Sequence, residues 1–320
     1  MKRAIVFLLG ISWVTGLMSQ IAEPENKLRT ARKDTVNGWQ YGGVLMLNFG
    51  QTALSNWAAG GENSQSGNSF FNFFANYQKK SFTWDNTIDL GYGMLRQNEQ
   101  FRKTDDKIDF STKVGMAASK NWYYSGLLNF RSQFTSGYKY PTDTTRLKIS
   151  DFLAPAYVVM AVGMDYKPGK VFTAFIAPLT GKITIVANDS LADLGSFGVD
   201  PAEFDANKVK IKDGKNFREE IGGYCKVAFQ KDIMTNVNLS SKIDLFSNYI
   251  DNPENIDVNM QVLISMKVNK FISASLSTQL IYDDDIKSKN KTTNAEEGPK
   301  IQFKEILGVG FSYRFSRNGK

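Results

Sequence analysis

From Trp39 to Phe315 the chain alternates apolar and polar positions in segments of about ten residues or more. In Phe82–Arg96 the row Trp84, Ile88, Leu90, Tyr92 and Met94 faces away from Thr83, Asp85, Thr87 and Asp89. In Lys107–Lys120, Ile108, Phe110, Val114 and Met116 alternate with Lys107, Asp109, Ser111 and Lys113. Val237–Tyr249 and Ile256–Val268 repeat the pattern, the second almost without a break. The last segment, Phe303–Phe315, puts Leu307, Val309, Phe311, Tyr313 and Phe315 on one face. Each segment predicts a strand with one apolar and one polar face.

The connections alternate in length. Short ones are Lys79-Lys80-Ser81, Ser119-Lys120-Asn121, Pro168-Gly169-Lys170, Lys231-Asp232-Ile233 and Val268-Asn269-Lys270. Longer polar ones are Ala53–Gly67, Asn98–Asp106, Lys139–Ser150, Lys182–Lys215, Tyr249–Asn255 and Asp283–Pro299. About twelve antiparallel strands with alternating short and long connections predict a transmembrane β-barrel, all-β, with short periplasmic turns and longer outer loops. A soluble β-sandwich would alternate too, but with shorter strands and less regular loops.

The N-terminus reads as a secretory signal: Lys2-Arg3, the apolar run Ala4–Val14, then Thr15–Gln20. That run is too short for a helical span. The expected organisation is a signal peptide at 1–20, a flexible leader at 21–38, a barrel at 39–315 and a tail at 316–320. A mean hydropathy of −0.31 fits a barrel, because half of each strand faces a polar lumen. The high aromatic share, 13%, supplies interfacial girdles.

The formal net charge is +7. Its positive residues are dispersed, and Lys79, Lys80, Lys120, Lys167, Lys170, Lys231 and Lys270 sit in or beside the short turns, where anionic headgroups or water would meet them. Nucleic acid is therefore not an expected partner. Expected partners are outer-membrane lipid, the barrel assembly machinery during biogenesis, and an outer-membrane protein partner if the barrel does not transport.

The sequence contains no histidine and one cysteine, Cys225. Ser-His, Cys-His and His-metal chemistry are excluded by composition, so no catalytic, cofactor or metal site is expected. Cys225 falls on a lipid-facing row. Asp283-Asp284-Asp285 reads as a solvated acidic turn rather than a calcium loop.

The inward rows carry charges of both signs: Asp85, Asp89, Asp109, Lys113, Arg131, Arg218, Glu220, Lys226, Lys242, Asp244, Lys267, Lys304 and Arg314. In an open barrel they would set selectivity. In a closed one they would pair across the lumen, because an unpaired buried charge is costly.

The segment Ser55-Asn56-Trp57-Ala58-Ala59-Gly60-Gly61-Glu62-Asn63-Ser64, after Leu47-Asn48-Phe49, resembles a Bacteroidota outer-membrane family catalogued as domain of unknown function 3078. Trp84-Asp85-Asn86, Tyr92-Gly93 and Lys107–Lys113 extend the resemblance over nearly the whole mature chain. It implies an outer-membrane barrel and no established activity. Trp57, Gly60, Gly61 and Asn63 are the candidate first-loop motif, with Gly60-Gly61 permitting unusual backbone angles and Asn63 able to brace a turn.

Overall fold

In the computed structural model the described residues are 37–318, other than 56–57, 59–61, 98–99, 142–144, 170, 270 and 290–295. The expected signal peptide and most of the leader lie outside them. Twelve strands close into one antiparallel barrel. They are β1 Gly38–Thr52, β2 Ser64–Lys79, β3 Phe82–Gln97, β4 Gln100–Ala117, β5 Trp122–Ser132, β6 Ala156–Tyr166, β7 Phe172–Ile185, β8 Phe217–Met234, β9 Val237–Asn248, β10 Ile256–Lys267, β11 Ile272–Tyr282 and β12 Gln302–Asn318. Each strand pairs with its sequence neighbours, and β1 pairs with β12 to close the ring. Closure leaves no unpaired edge, which a lipid environment requires.

The burial pattern is inside-out. Apolar side chains are widely exposed: Leu307 is 70% accessible, while Asp165 is 0% and Asp244 5%. A soluble protein buries the former and exposes the latter. Here the apolar rows form the outer belt, and the charges line the lumen. At the turn end aromatic rings cluster in the belt. Trp39 lies 5.2 Å from Tyr77 and 5.5 Å from Trp84, and Trp122 lies 4.7 Å from Tyr166. This is the interfacial girdle of a membrane barrel.

Several boundaries differ from the sequence reading. Strand β8 runs through Lys231-Asp232-Ile233, and the turn falls at Thr235-Asn236, with Asn236 in the left-handed region at φ 63°. Asparagine tolerates that region and so takes the turn. The expected loop Asn98–Asp106 is mostly strand, because β3 and β4 extend to Gln97 and Gln100. Strand β12 continues past Phe315, with Ser316 opposite Gly42 and Asn318 opposite Gln40, so much of the expected tail is in the ladder.

Strand β7 contains Pro178, which cannot donate to a ladder. The register on both sides shifts there: β8 passes from Tyr224↔Ala177 to Gly222↔Thr180, and β6 from Met164↔Ile176 to Val162↔Leu179. The bulge exchanges the faces of the strand. Thr173, Phe175 and Ala177 face the lumen below it; Thr180, Lys182 and Thr184 do so above it. Gly163 faces the bulge, and a Cβ there would lie 2.0 Å from the Ile176 carbonyl oxygen.

The two large outer excursions are folded. Residues 133–155 form a hairpin, Gly137–Lys139 with Leu147–Ser150. Residues 186–216 hold helix α1, Asp189–Asp193, capped by Asn188, and a second small hairpin. Val186, Leu191, Ala192 and Val199 bury against Ala154 of the other excursion, with Phe197 packed alongside.

Candidate lumen site

One wall of the lumen is packed solid. Leu127, Ala161, Phe175, Ala177, Tyr224 and Phe246 form a buried apolar cluster on β5 to β9. Around it sit three groups of charges.

The central group crosses the barrel. Strands β3 and β9 lie six places apart in the ring of twelve, as do β4 and β10. Yet Lys242 on β9 places its Nζ 3.4 Å from Asp89 on β3 and 3.3 Å from Asp109 on β4. Lys107 on β4 donates to Gln261 Oε1 on β10 at 3.0 Å. Arg131 bridges Asp244 and Asp109, the latter at 3.6 Å. Asp244 also takes a 2.6 Å hydrogen bond from the Tyr224 hydroxyl and lies 3.5 Å from Lys226. Asp109 accepts from Asn129 Nδ2 at 2.8 Å, and Asp89 from Asn72 Nδ2 at 2.5 Å. Multiple donors on each carboxylate are what a buried charge needs.

A second group lies near the turn end. Asp165 pairs with Lys113 at 2.5 Å and Lys167 at 2.9 Å, and Lys167 reaches Asp85 at 2.8 Å. Lys167 was read as a turn lysine beside headgroups or water; it points inward instead. Its neighbours Pro168-Gly169 make the turn, but Lys167 itself follows Tyr166 on the end of β6, so it can reach inward.

The third group sits at the loop end. Lys182 contacts Asp257 at 2.6 Å, Glu220 at 3.3 Å and Asp283 at 3.9 Å. Arg218 contacts Asp285 at 2.7 Å and Glu220 at 3.5 Å. Burial raises the Asp283 carboxyl above its ordinary range, against the pull of Lys182. Carboxylate oxygens of Asp257, Asp283 and Asp284 approach within 4.8 Å of one another, and the Lys182 ammonium supplies the countercharge. The acidic run Asp283-Asp284-Asp285 is therefore divided: its first two members join Asp257, and its third turns to Arg218.

Lys304 pairs with Asp105 at 2.8 Å. Lys267 lies on the lumen face at the turn end of β10, apart from the three groups. Of Arg314 only the backbone is described, opposite Val44. In the first loop, Asn63 Oδ1 accepts from the Leu54 backbone N–H at 2.6 Å. Trp57, Gly60 and Gly61 lie outside the described residues. The sequence reading missed Lys182, because the bulge moves it to the lumen face, and Asp105, because it was assigned to a loop. An unbroken count of two along β4 from Lys107 would have found Asp105.

Beside the charges runs a cavity of about 460 Å3. It extends from Asp85, Tyr123 and Lys167 near the turns to Asp105 and Lys304 near the loops. On β3 the distance from Asp85 to Gly93, which pairs with Asp105, is roughly 27 Å at strand rise. Its remaining wall is rich in amides and hydroxyls from β1, β2, β10 and β11.

A closed twelve-strand barrel, apolar outside and charged within, is a membrane-spanning barrel. The chain is an outer-membrane protein of a Gram-negative bacterium. Residues 49–138 match the family described as Protein of unknown function (DUF3078). That stretch holds the end of β1, the first loop and β2 to β5, less than the span over which the resemblance was read. Among curated proteins none matches the sequence. Solved structures with a similar course include an outer membrane channel from Pseudomonas putida F1, 10% identical, covering 89% of this chain and 99% of that one at a TM-score of 0.37. The translocator domain of the autotransporter NalP from Neisseria meningitidis is 10% identical, with 88% and 90% covered and a TM-score of 0.36. The CymD monoaromatic hydrocarbon channel is 10% identical, with 89% and 90% covered and a TM-score of 0.34. At this distance the likenesses carry no functional argument.

Proposed function

We propose that the protein is a narrow passive channel for small hydrophilic solutes. The observation that carries this reading is the elongated cavity, lined by amides, hydroxyls and charged groups as well as apolar side chains, that runs beside the cross-barrel ion pairs. A barrel built only as a scaffold gains nothing from so long a cavity, since voids forfeit packing. The reading is non-enzymatic, because the sequence lacks histidine, the usual base of hydrolytic and transfer chemistry.

A second reading, a closed barrel serving as a structural subunit or partner in an outer-membrane assembly, is favoured by the bridges themselves. Lys242 with Asp89, and Lys107 with Gln261, each join strands on opposite sides of the barrel and limit the free cross-section. Planar-bilayer recording of the full chain separates the two. Small stepwise conductance supports the channel; a folded barrel that gives none supports the closed partner.

A further inference from the structure

We propose that the lumen cavity is a binding site for a neutral oligosaccharide, held along β2. The proposal rests on the channel reading only in that the sugar must enter the lumen from one end.

The lumen row of β2 reads Asn68, Phe70, Asn72, Phe74, Asn76, and all five line the cavity. Phe70 and Phe74 stand roughly 13 Å apart along the strand, with an amide residue between them. Phe71 and Phe73 lie on the opposite row and belong to the lipid belt. Lipid contact therefore does not explain Phe70 and Phe74. Neither belongs to the buried apolar cluster on β5 to β9. Phe70 stands opposite Met46 on β1, which is buried and also lines the cavity, and both rings, half-buried, keep part of their surface toward that cavity, where a solute can meet it.

The chemistry of the wall selects the class. The lumen cations Lys107, Lys242 and Lys304 already face Asp109, Asp89 and Asp105. A charged solute would have to compete with those pairs, and removing a partner from a buried charge is costly. A neutral solute leaves them intact. Amides both donate and accept, as sugar hydroxyls do. Across the cavity Gln261, Gln279 and Ser277 offer a second polar row. A sugar ring has an apolar face of C–H groups that covers an aromatic ring and a rim of hydroxyls that meets the amides. The spacing of the rings calls for several linked sugar units rather than one.

The test is single-channel recording of the full chain in planar bilayers with maltotriose as probe, alongside calorimetric titration of the detergent-folded barrel. Saturable block by maltotriose is expected, weaker by about tenfold in Phe70→Ala/Phe74→Ala and retained in Phe70→Tyr/Phe74→Tyr. If the alanine pair does not fold, Phe70→Leu/Phe74→Leu keeps apolar volume and removes the rings, with the same weakening expected. Conductance without saturable block, stronger block by glutamate than by maltotriose, or block indifferent to the loss of both rings overturns the sugar site and leaves the channel. Calorimetric binding without conductance overturns the channel and leaves the site. Absence of both removes both.

Discussion

Lys242 holds two carboxylates of the far wall, Asp89 and Asp109, and Asp109 is only 4% exposed. Lys242→Met keeps the stem and deletes the charge. It leaves two acids short of a partner in a water-lined lumen, and we expect a loss of about 1–3 kcal/mol in urea unfolding. If the barrel conducts, the same change removes a bridge across the lumen and raises unit conductance. Unchanged stability and conductance would show that the bridge does no work. A second residue ties the outer loops. The Lys148 ammonium, 2.5 Å away, and the Ser136 hydroxyl hold the Asp151 carboxyl down to about 2. Asp151 also accepts from Asn188 of the other excursion at 3.1 Å. A depressed carboxyl stabilises the fold above its unfolded value, near 3.9, and that stabilisation is lost as pH falls toward 2. Hydrogen exchange should therefore show residues 133–155 loosening between pH 4 and about 2, and Asp151→Asn should show the loosening already at pH 7. An exchange profile identical in variant and wild type would remove Asp151 from that role. Most lumen charges were legible in the sequence, because alternation alone assigns a face. Lys167 was not, because its closeness to a turn hid the strand end that carries it.

Strands were the most legible level. Where alternation is unbroken, as in β9 and β10, both faces were read correctly, and the lumen row contains Lys242, Asp244 and Asp257. Where a bulge interrupts it, the phase is lost: Lys182 looked like the start of a loop because Pro178 resets the count. The mark was in the chain, since proline within a strand signals an edge or a bulge, but its consequence needs the partner strand. The face assignment can be tested directly. Val262 and Leu239 lie on the outward rows of β10 and β9, opposite Ser241 and Ile264 in the ladder. Arginine at either position places a charge in lipid, and near the midplane we expect a cost of about 2–4 kcal/mol in refolding titrations into lipid. Arginine at Gln261, one residue from Val262 and on the lumen face, should cost much less. Equal costs at Gln261 and Val262 would mean that the rows are not separated by lipid and water.

At the scale of the molecule the open question is what the folded outer excursions do above a half-filled barrel. The connection 182–215 contains Leu191, Leu194, Phe197, Val199 and Phe204, more apolar residues than a solvated loop needs, and the sequence does not show their partner, because long-range packing leaves no local pattern. The structure supplies it: Val186, Leu191 and Val199 bury against Ala154 of the neighbouring excursion. Gly198, at φ 82°, brings the segment to Arg218 and Asp285 at the mouth, with the Arg218 guanidinium 3.4 Å from the Gly198 carbonyl oxygen. Leu194 and Phe204 stay exposed. The segment is thus braced over the loop-end charges rather than loose in solvent. Deleting Ser190–Ala206 removes helix α1 and that brace, while strands β7 and β8 keep their ladder. We expect the barrel to fold, the unit conductance to rise, and residues 133–155 to become protease-sensitive as Ala154 loses its cover. Unaltered conductance with intact folding would mean that the segment stands clear of the path. If, in addition, wild-type 186–216 is cut as readily as an unstructured peptide, the packing against Ala154 does not persist in solution.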